Sequence, residues 1–290
     1  MQKAILQLVL GAACIAWAPI MVKFIHDAPN VVAFYRTLLA ALIFLPFCYK
    51  ELPPLWCKKM LPFWGYAFVG AFAFAMDLNV WHRSIYYTGA GIATILGNTQ
   101  VFFSGIAGYL FLKEKITLRW LLGALLAMLG ITLLVGVFET HANINPNFTW
   151  GVIFGLLTGP FYAGFVFCTR QIQTLNGSPS TKTCLCIILG IAALFAACFA
   201  WLEGANFSHF RQQWPLYMIL ALVSQVIGWF LISANLTKVP LALSGLILLL
   251  QPVLAFVLGI FLFREHASIL QMTGGMITLI AIYFTTARIR

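Results

Sequence analysis

Three charged side chains sit inside stretches that are otherwise apolar: Lys23, Arg36 and Asp77. A charge in lipid-like surroundings is expensive, so each is a candidate for ligand binding or gating. One carboxylate among two cations leaves an excess positive charge that is costly in a low dielectric unless something neutralises it. Two arrangements meet that demand. In the first, Asp77 pairs with Lys23 or Arg36 and the other cation snorkels towards water. In the second, Asp77 belongs to an outer gate and the spare cation meets an anionic ligand group such as a carboxylate. Arg36 suits that role better than Lys23, because its planar guanidinium binds a carboxylate through two hydrogen bonds.

Around these charges lies a second set of polar and aromatic side chains, also inside apolar runs. Gln100, Gln225 and Gln251 can either bond across a helix interface or line a cavity. Trp17, Trp81, Tyr162 and Trp229 can anchor at a membrane surface or wall an organic ligand. Trp17 and Trp229 lie deeper than an interfacial belt needs. His82 is close to a surface, where an ordinary histidine and a proton relay are both open readings.

Enzymatic chemistry finds little to work with. Asp77 and His82 are the only acid–imidazole couple in a span, and at five residues apart on a helix they do not share a face. The seven cysteines form no disulfide framework, and Cys184-x-Cys186 has neither zinc-ligand spacing nor partners. No catalytic residue, metal or cofactor is expected.

The elements that must position these side chains are membrane helices. The chain of 290 residues is 62% hydrophobic and 8% charged, against about 25% charged in a soluble domain. About 20 apolar residues are needed for each crossing. Ten such segments fall near 4–24, 31–49, 61–82, 89–112, 118–138, 148–170, 183–202, 213–236, 241–263 and 267–287. Gly159-Pro160 predicts a kink in the sixth, and Gln251-Pro252 a broken turn in the ninth. A tight connection is expected at Tyr86–Gly89.

An internal repeat organises the segments. The stretch from Gly89 to Leu118 returns as Leu241 to Ile269, and at that offset Gln100 meets Gln251, Gly108 meets Gly259, Glu114 meets Glu265 and Gly123 meets Gly274. Glu114 and Glu265 sit at helix ends, where capping of the following helix is the expected role. The polar stretch Glu139–Asn147 separates residues 1–140 from 148–290. Five spans per half is an odd number, so the halves enter the bilayer from opposite sides, as inverted repeats with a site at their interface. The expected fold is therefore an all-α integral membrane protein of ten transmembrane helices, in two inverted five-helix repeats around a central cavity.

The net charge of +10 does not call for nucleic acid. With Met1 in the cytoplasm, the inner side holds Lys3, Lys50, Lys58, Lys59, Lys113, Lys115, Arg119, Arg170, Lys182, Lys238, Arg288 and Arg290. The outer side holds only Arg83, Arg211 and Arg264. That bias follows the positive-inside rule and puts both termini in the cytoplasm.

With these features in place, the chain resembles the EamA family of the drug/metabolite transporter superfamily. The resemblance is carried by Trp17-x-Pro19…Lys23, Pro29…Arg36-x-x-x-Ala40-Ala41, Gly89-Ala90-Gly91, Glu114 with Gly123 and Gly130, and Gln251-Pro252…Gly259…Glu265 with Gly274-Gly275. In the first half Asn98-Thr99-Gln100-Val101 stands where the family more often has a proline. The resemblance implies an inner-membrane, multi-pass secondary transporter working by alternating access and exporting amino acids or related small metabolites. Its partners would be a small-molecule substrate and the lipid bilayer, with proton coupling or exchange open to it, as a monomer or homodimer. A sugar-phosphate or nucleotide-sugar carrier and a lipid-handling membrane protein are the alternatives.

Overall fold

The computed structural model describes residues 1–22, 24–52, 55, 57–136, 146–207, 210–263 and 267–286. Among these, nine helices are long and apolar enough to cross a membrane, and Leu118–Leu134 is a shorter apolar helix. Lys23, Arg264, Glu265 and nearly all of the Glu139–Asn147 stretch lie outside the described residues.

In chain order the helices are α1 (Gln2–Val22), α2 (Pro29–Cys48), α3 (Leu61–Thr88), α4 (Ala90–Asn98), α5 (Gln100–Leu112), α6 (Leu118–Leu134), α7 (Phe148–Thr174), α8 (Thr181–Leu202), α9 (Phe210–Leu220), α10 (Trp229–Ser233), α11 (Leu241–Leu248), α12 (Leu250–Phe263) and α13 (Ile269–Thr286). A π-helical stretch, Ala221–Gly228, joins α9 to α10. The chain forms two compact units. The first comprises Met1–Asn79 with Gly164–Lys238, and the second Val80–Ala163 with Val239–Arg290.

Several expected boundaries move, each for a local reason. No turn occurs at Tyr86-Tyr87-Thr88: α3 continues to Thr88, whose hydroxyl donates to the Ser84 carbonyl at 2.8 Å. The chain reverses only at Gly89, where φ is +84° and a side chain would be strained. α7 is not broken at Pro160. The preceding Gly159 serves a close approach instead, since a Cβ there would lie 2.5 Å from Thr99 Oγ1 and 3.1 Å from the Gln100 amide. The fourth segment is interrupted at Thr99 although it has no proline. The Thr99 amide bonds to the Leu96 carbonyl at 3.1 Å, a tightened turn, and the Thr99 hydroxyl donates to that same carbonyl. The ninth is interrupted at Leu249 in the same manner, just before Gln251-Pro252.

In the first unit α2 packs along α8, and α1 crosses the π-helical stretch and α10. Small residues permit the second crossing, for a Cβ at Gly11 would meet the Gly228 carbonyl at 2.8 Å. One end of this unit is laced by polar bonds. Asn30 Nδ2 donates to Glu203 at 2.7 Å, the His26 amide to Gln213 at 3.1 Å, and the Tyr217 hydroxyl to Asp27. Tyr35 stacks on Phe210 with ring centroids 4.5 Å apart and donates to the Phe207 carbonyl. At the other end Glu51 accepts from the Ser180 amide and the Thr183 hydroxyl, both at 2.8 Å, at the start of α8.

In the second unit α6 packs along α13, and α5 on α11. The α6–α13 crossing is backbone-close: a Cβ at Gly274 would lie 2.4 Å from the Leu134 amide and 2.5 Å from the Gly130 carbonyl. Glu114 does not cap the helix that follows it. Its oxygens accept from the Leu241 and Ala242 amides at 2.8 and 3.3 Å, at the start of α11. Helix α6 is capped instead by Thr117 Oγ1, which accepts from the Trp120 amide at 3.2 Å. Lys113, with φ +55°, turns the chain so that Glu114 reaches across.

Candidate functional site

Arg36 is the eighth residue of α2 and faces inward rather than snorkelling. It is buried, as are Ser224 and Gln225 of the π-helical stretch. With the Gln225 amide oriented by its donors, Oε1 accepts from both Nη2 and Nε of Arg36 at 2.6 Å. Nη2 also donates to Ser224 Oγ at 3.1 Å. Two sequence candidates, Arg36 and Gln225, are thus brought together across 188 and 189 residues of chain, and Ser224 joins them. A π turn carries one residue more than an α turn and is frequent at functional sites. Here it presents consecutive side chains, Ser224 and Gln225, to one guanidinium.

Asp77, on α3, is buried in the same unit and is coupled electrostatically to Arg36. The hydrogen bonds that Arg36 gives go to Gln225 and Ser224 rather than to Asp77. The guanidinium is held by neutral acceptors. These bonds, from Nη2 and Nε, go to neutral oxygens that satisfy donors without neutralising the positive charge.

The aromatic candidates separate. Trp229 is 2% exposed and packs edge-on against Phe165 at 4.6 Å and Phe74 at 5.9 Å between centroids. Phe74 and Phe165 stack at 4.4 Å, so the three rings form one buried cluster beside the Arg36 group's helices. Trp17 instead lines an open-sided recess of about 260 Å³, with Ala18, Met21, Ile219, Leu220, Val223 and Ser224.

The remaining candidates lie in the second unit. Gln100 is buried; its Nε2 donates to the Gly245 carbonyl at 2.9 Å and its Oε1 accepts from Ser104 at 3.1 Å. Its repeat mate Gln251 is half-buried and donates to the Tyr162 hydroxyl at 3.0 Å. One glutamine is committed to helix packing, and the other joins a second candidate. Trp81 and His82 are half-buried neighbours with ring centroids 5.1 Å apart, and Trp81 borders Gly97. Among the described residues no three His, Cys, Asp or Glu side chains converge as metal ligands.

Ser224, Phe74 and Phe165 were not singled out by the sequence. Ser224 had one signal, its adjacency to Gln225 within an apolar run. The phenylalanines had none, being two among 26.

The sequence profile of the EamA-like transporter family matches residues 2–136 and again 149–287. The chain belongs to the EamA-like transporter family. It is a membrane transporter, a multi-pass protein whose substrate is a small molecule and whose surroundings are a lipid bilayer. The "uncharacterized transporter YetK" of Bacillus subtilis (strain 168) is 26% identical over 252 residues, which is 85% of this chain and 74% of that protein. An "uncharacterized transporter" of Archaeoglobus fulgidus is 23% identical over 279 residues, covering 94% and 92% of the two chains. One solved structure, described only as the crystal structure of a protein, superposes with a TM-score of 0.84 at 12% identity, over 99% of this chain and 97% of its own. That likeness establishes the shared fold.

Proposed function

We propose that this EamA-family transporter is a secondary carrier that exports small metabolites bearing one carboxylate, amino acids or close relatives among them, across the cytoplasmic membrane by alternating access. The observation that carries the reading is the buried Arg36, bonded to the neutral Gln225 and Ser224 rather than to a carboxylate. A substrate carboxylate supplies the missing negative charge. Asp77, buried in the same unit, supplies an anion for an ammonium group, so the pair of charges suits a zwitterion. A phosphate ester carries ~2 negative charges at neutral pH and would need more than this one cation, which speaks against a sugar-phosphate substrate.

The two family matches, 2–136 and 149–287, support two repeats. The packing of α2 on α8, α5 on α11 and α6 on α13 supports a two-fold relation between them. With both termini cytoplasmic, the laced end of the first unit near Asp27 and Tyr217 faces outward.

Two measurements test the proposal. In proteoliposomes, Arg36→Gln should lose affinity for amino acids at least tenfold more than for their amides. An equal loss for acids and amides would remove the anchor. For orientation, the exposed Cys57 and an introduced Arg290→Cys should label only from the cytoplasmic side; external labelling of the latter sinks the even-span arrangement.

A further inference from the structure

The start of α6 gathers positive charge. Lys113 and Lys115 are exposed in the link before it, and Arg119 lies in its first turn. The one carboxylate among them, Glu114, accepts from the Leu241 and Ala242 amides. Arg119 is half-buried, its guanidinium 4.6 Å from the ring centre of Phe284 in the last turn of α13. A ring face attracts the charge but supplies no oxygen. Nε of Arg119 is buried, and among the described residues nothing accepts from it. A buried donor with no acceptor is rare in proteins and calls for a further partner. An anion is the partner that suits both groups present, because a helix N-terminus favours negative charge and Arg119 is a cation set against that preference.

The surrounding surface narrows the anion. Leu118, Leu122, Leu125 and Leu129 of α6 are all exposed, and their spacing of three or four residues makes them one ridge. Met276, Ile280 and Tyr283 make an exposed ridge on α13, which packs along α6. From Leu118 to Leu129 is about 17 Å at 1.5 Å per residue, close to the ~15 Å of hydrocarbon in one leaflet. A phosphate at the head of such a strip, with acyl chains along the leucines, is a phospholipid. A free phosphate would have no use for the strip.

We propose that this end of the second unit binds the phosphodiester of an anionic phospholipid, with Arg119 gripping the phosphate. A guanidinium can give two parallel hydrogen bonds to phosphate oxygens, and Nε is one of its free donors. Lys113 and Lys115 add a positive field that disfavours a headgroup carrying its own ammonium. The site stands apart from Arg36 and from any substrate; only its assignment to the cytoplasmic leaflet follows from the orientation proposed above. At the offset that pairs Gln100 with Gln251, Arg119 meets Leu270, so the second half has no matching arginine and the site is single.

The test offers the purified full-length protein, in detergent, an equimolar mixture of phosphatidylglycerol and phosphatidylethanolamine with equal chains, one of them deuterated. Native mass spectrometry reads the first lipid bound. Phosphatidylglycerol should lead by at least about tenfold, at about fivefold for each nearby cation. Arg119→Gln should cut that lead at least about fivefold. Lys59→Gln removes an exposed cation from the first unit and should leave the lead within about twofold. Equal losses in the two variants would mean diffuse surface charge and overturn the site, as would no lead in wild type. Should Arg119→Gln not fold, wild-type protein decides by photolabelling: phosphatidylglycerol with a diazirine near its glycerol should attach within residues 115–122 and 280–286, and an even spread over the exposed helices would overturn the proposal. Glycerophosphoglycerol, the same headgroup without chains, should compete at least about a hundredfold more weakly. Equal competition would assign the site to a soluble phosphate ester and overturn its lipid character.

Discussion

Replacing Gln225 with Glu separates a structural from a ligand-binding role for Arg36. The Gln225 oxygen takes two bonds from the guanidinium at 2.6 Å, and both residues are buried. Glutamate has nearly the same shape, keeps both bonds and adds a negative charge. The fold should therefore be at least as stable in Gln225→Glu, with a melting temperature equal to or above wild type. In Gln225→Leu both bonds vanish. At about 1.5–3 kcal/mol for each hydrogen bond to a charged group, the loss is about 3–6 kcal/mol. By the scale of large soluble domains this lowers melting by on the order of 10 °C. Ligand binding should follow a different order. A built-in carboxylate neutralises the anchor, and truncated or competed charge pairs in binding sites cost about 2–5 kcal/mol. Gln225→Glu should accordingly bind amino acids at least about thirtyfold more weakly despite its stability. Thermal unfolding and radioligand binding on the same preparation decide the matter. A stable Gln225→Glu protein that binds amino acids within threefold of wild type would refute the anchor.

Two further outcomes concern the second unit. Gln100→Leu strands the Gly245 carbonyl and Ser104 in a buried setting and should cost about 1–3 kcal/mol, whereas Gln251→Leu should leave stability within about 1 kcal/mol and impair transport; equal melting losses in the two variants would refute the asymmetry. Glu114→Ala should destabilise by about 0.5–2 kcal/mol through the loss of the α11 cap. Gly108→Ala should act through that same carboxylate, because its Cβ would fall 2.5 Å from Glu114 Oε2; additive effects in the double variant would show that the two positions act separately.

The spans were legible because a run of 20 apolar residues is a local property of sequence. Arg36 and Gln225 were legible individually, since a polar side chain in such a run stands out. Their partnership was not, because it depends on the π-helical stretch, and nothing in ALVSQVIG distinguishes a wide turn from an ordinary one before α1 and α2 pack against it. The break at Thr99 was missed for a similar reason: the turn tightens through backbone bonds and a threonine hydroxyl, without the proline that marks its counterpart. Glu114 was placed correctly at a helix end. Its target was not, because the nearest helix start in sequence was already capped by Thr117 and the open amides lay more than 120 residues away, at Leu241.

Glu51, Glu114 and Glu203 each reach a helix start or loop that comes from the other sequence half. During synthesis the earlier partner of every such pair enters the bilayer first and waits. Glu51 waits for Ser180, Asn30 for Glu203, and Glu114 for Leu241. The amides at the start of α11 and the carboxylate after α5 are both costly near lipid until they meet. Assembly is then concerted late in translation, and a half chain made alone would carry unmet acceptors at its helix ends. Such a fragment would be a substrate for membrane quality control, and co-expression of the two halves is the condition under which either should accumulate.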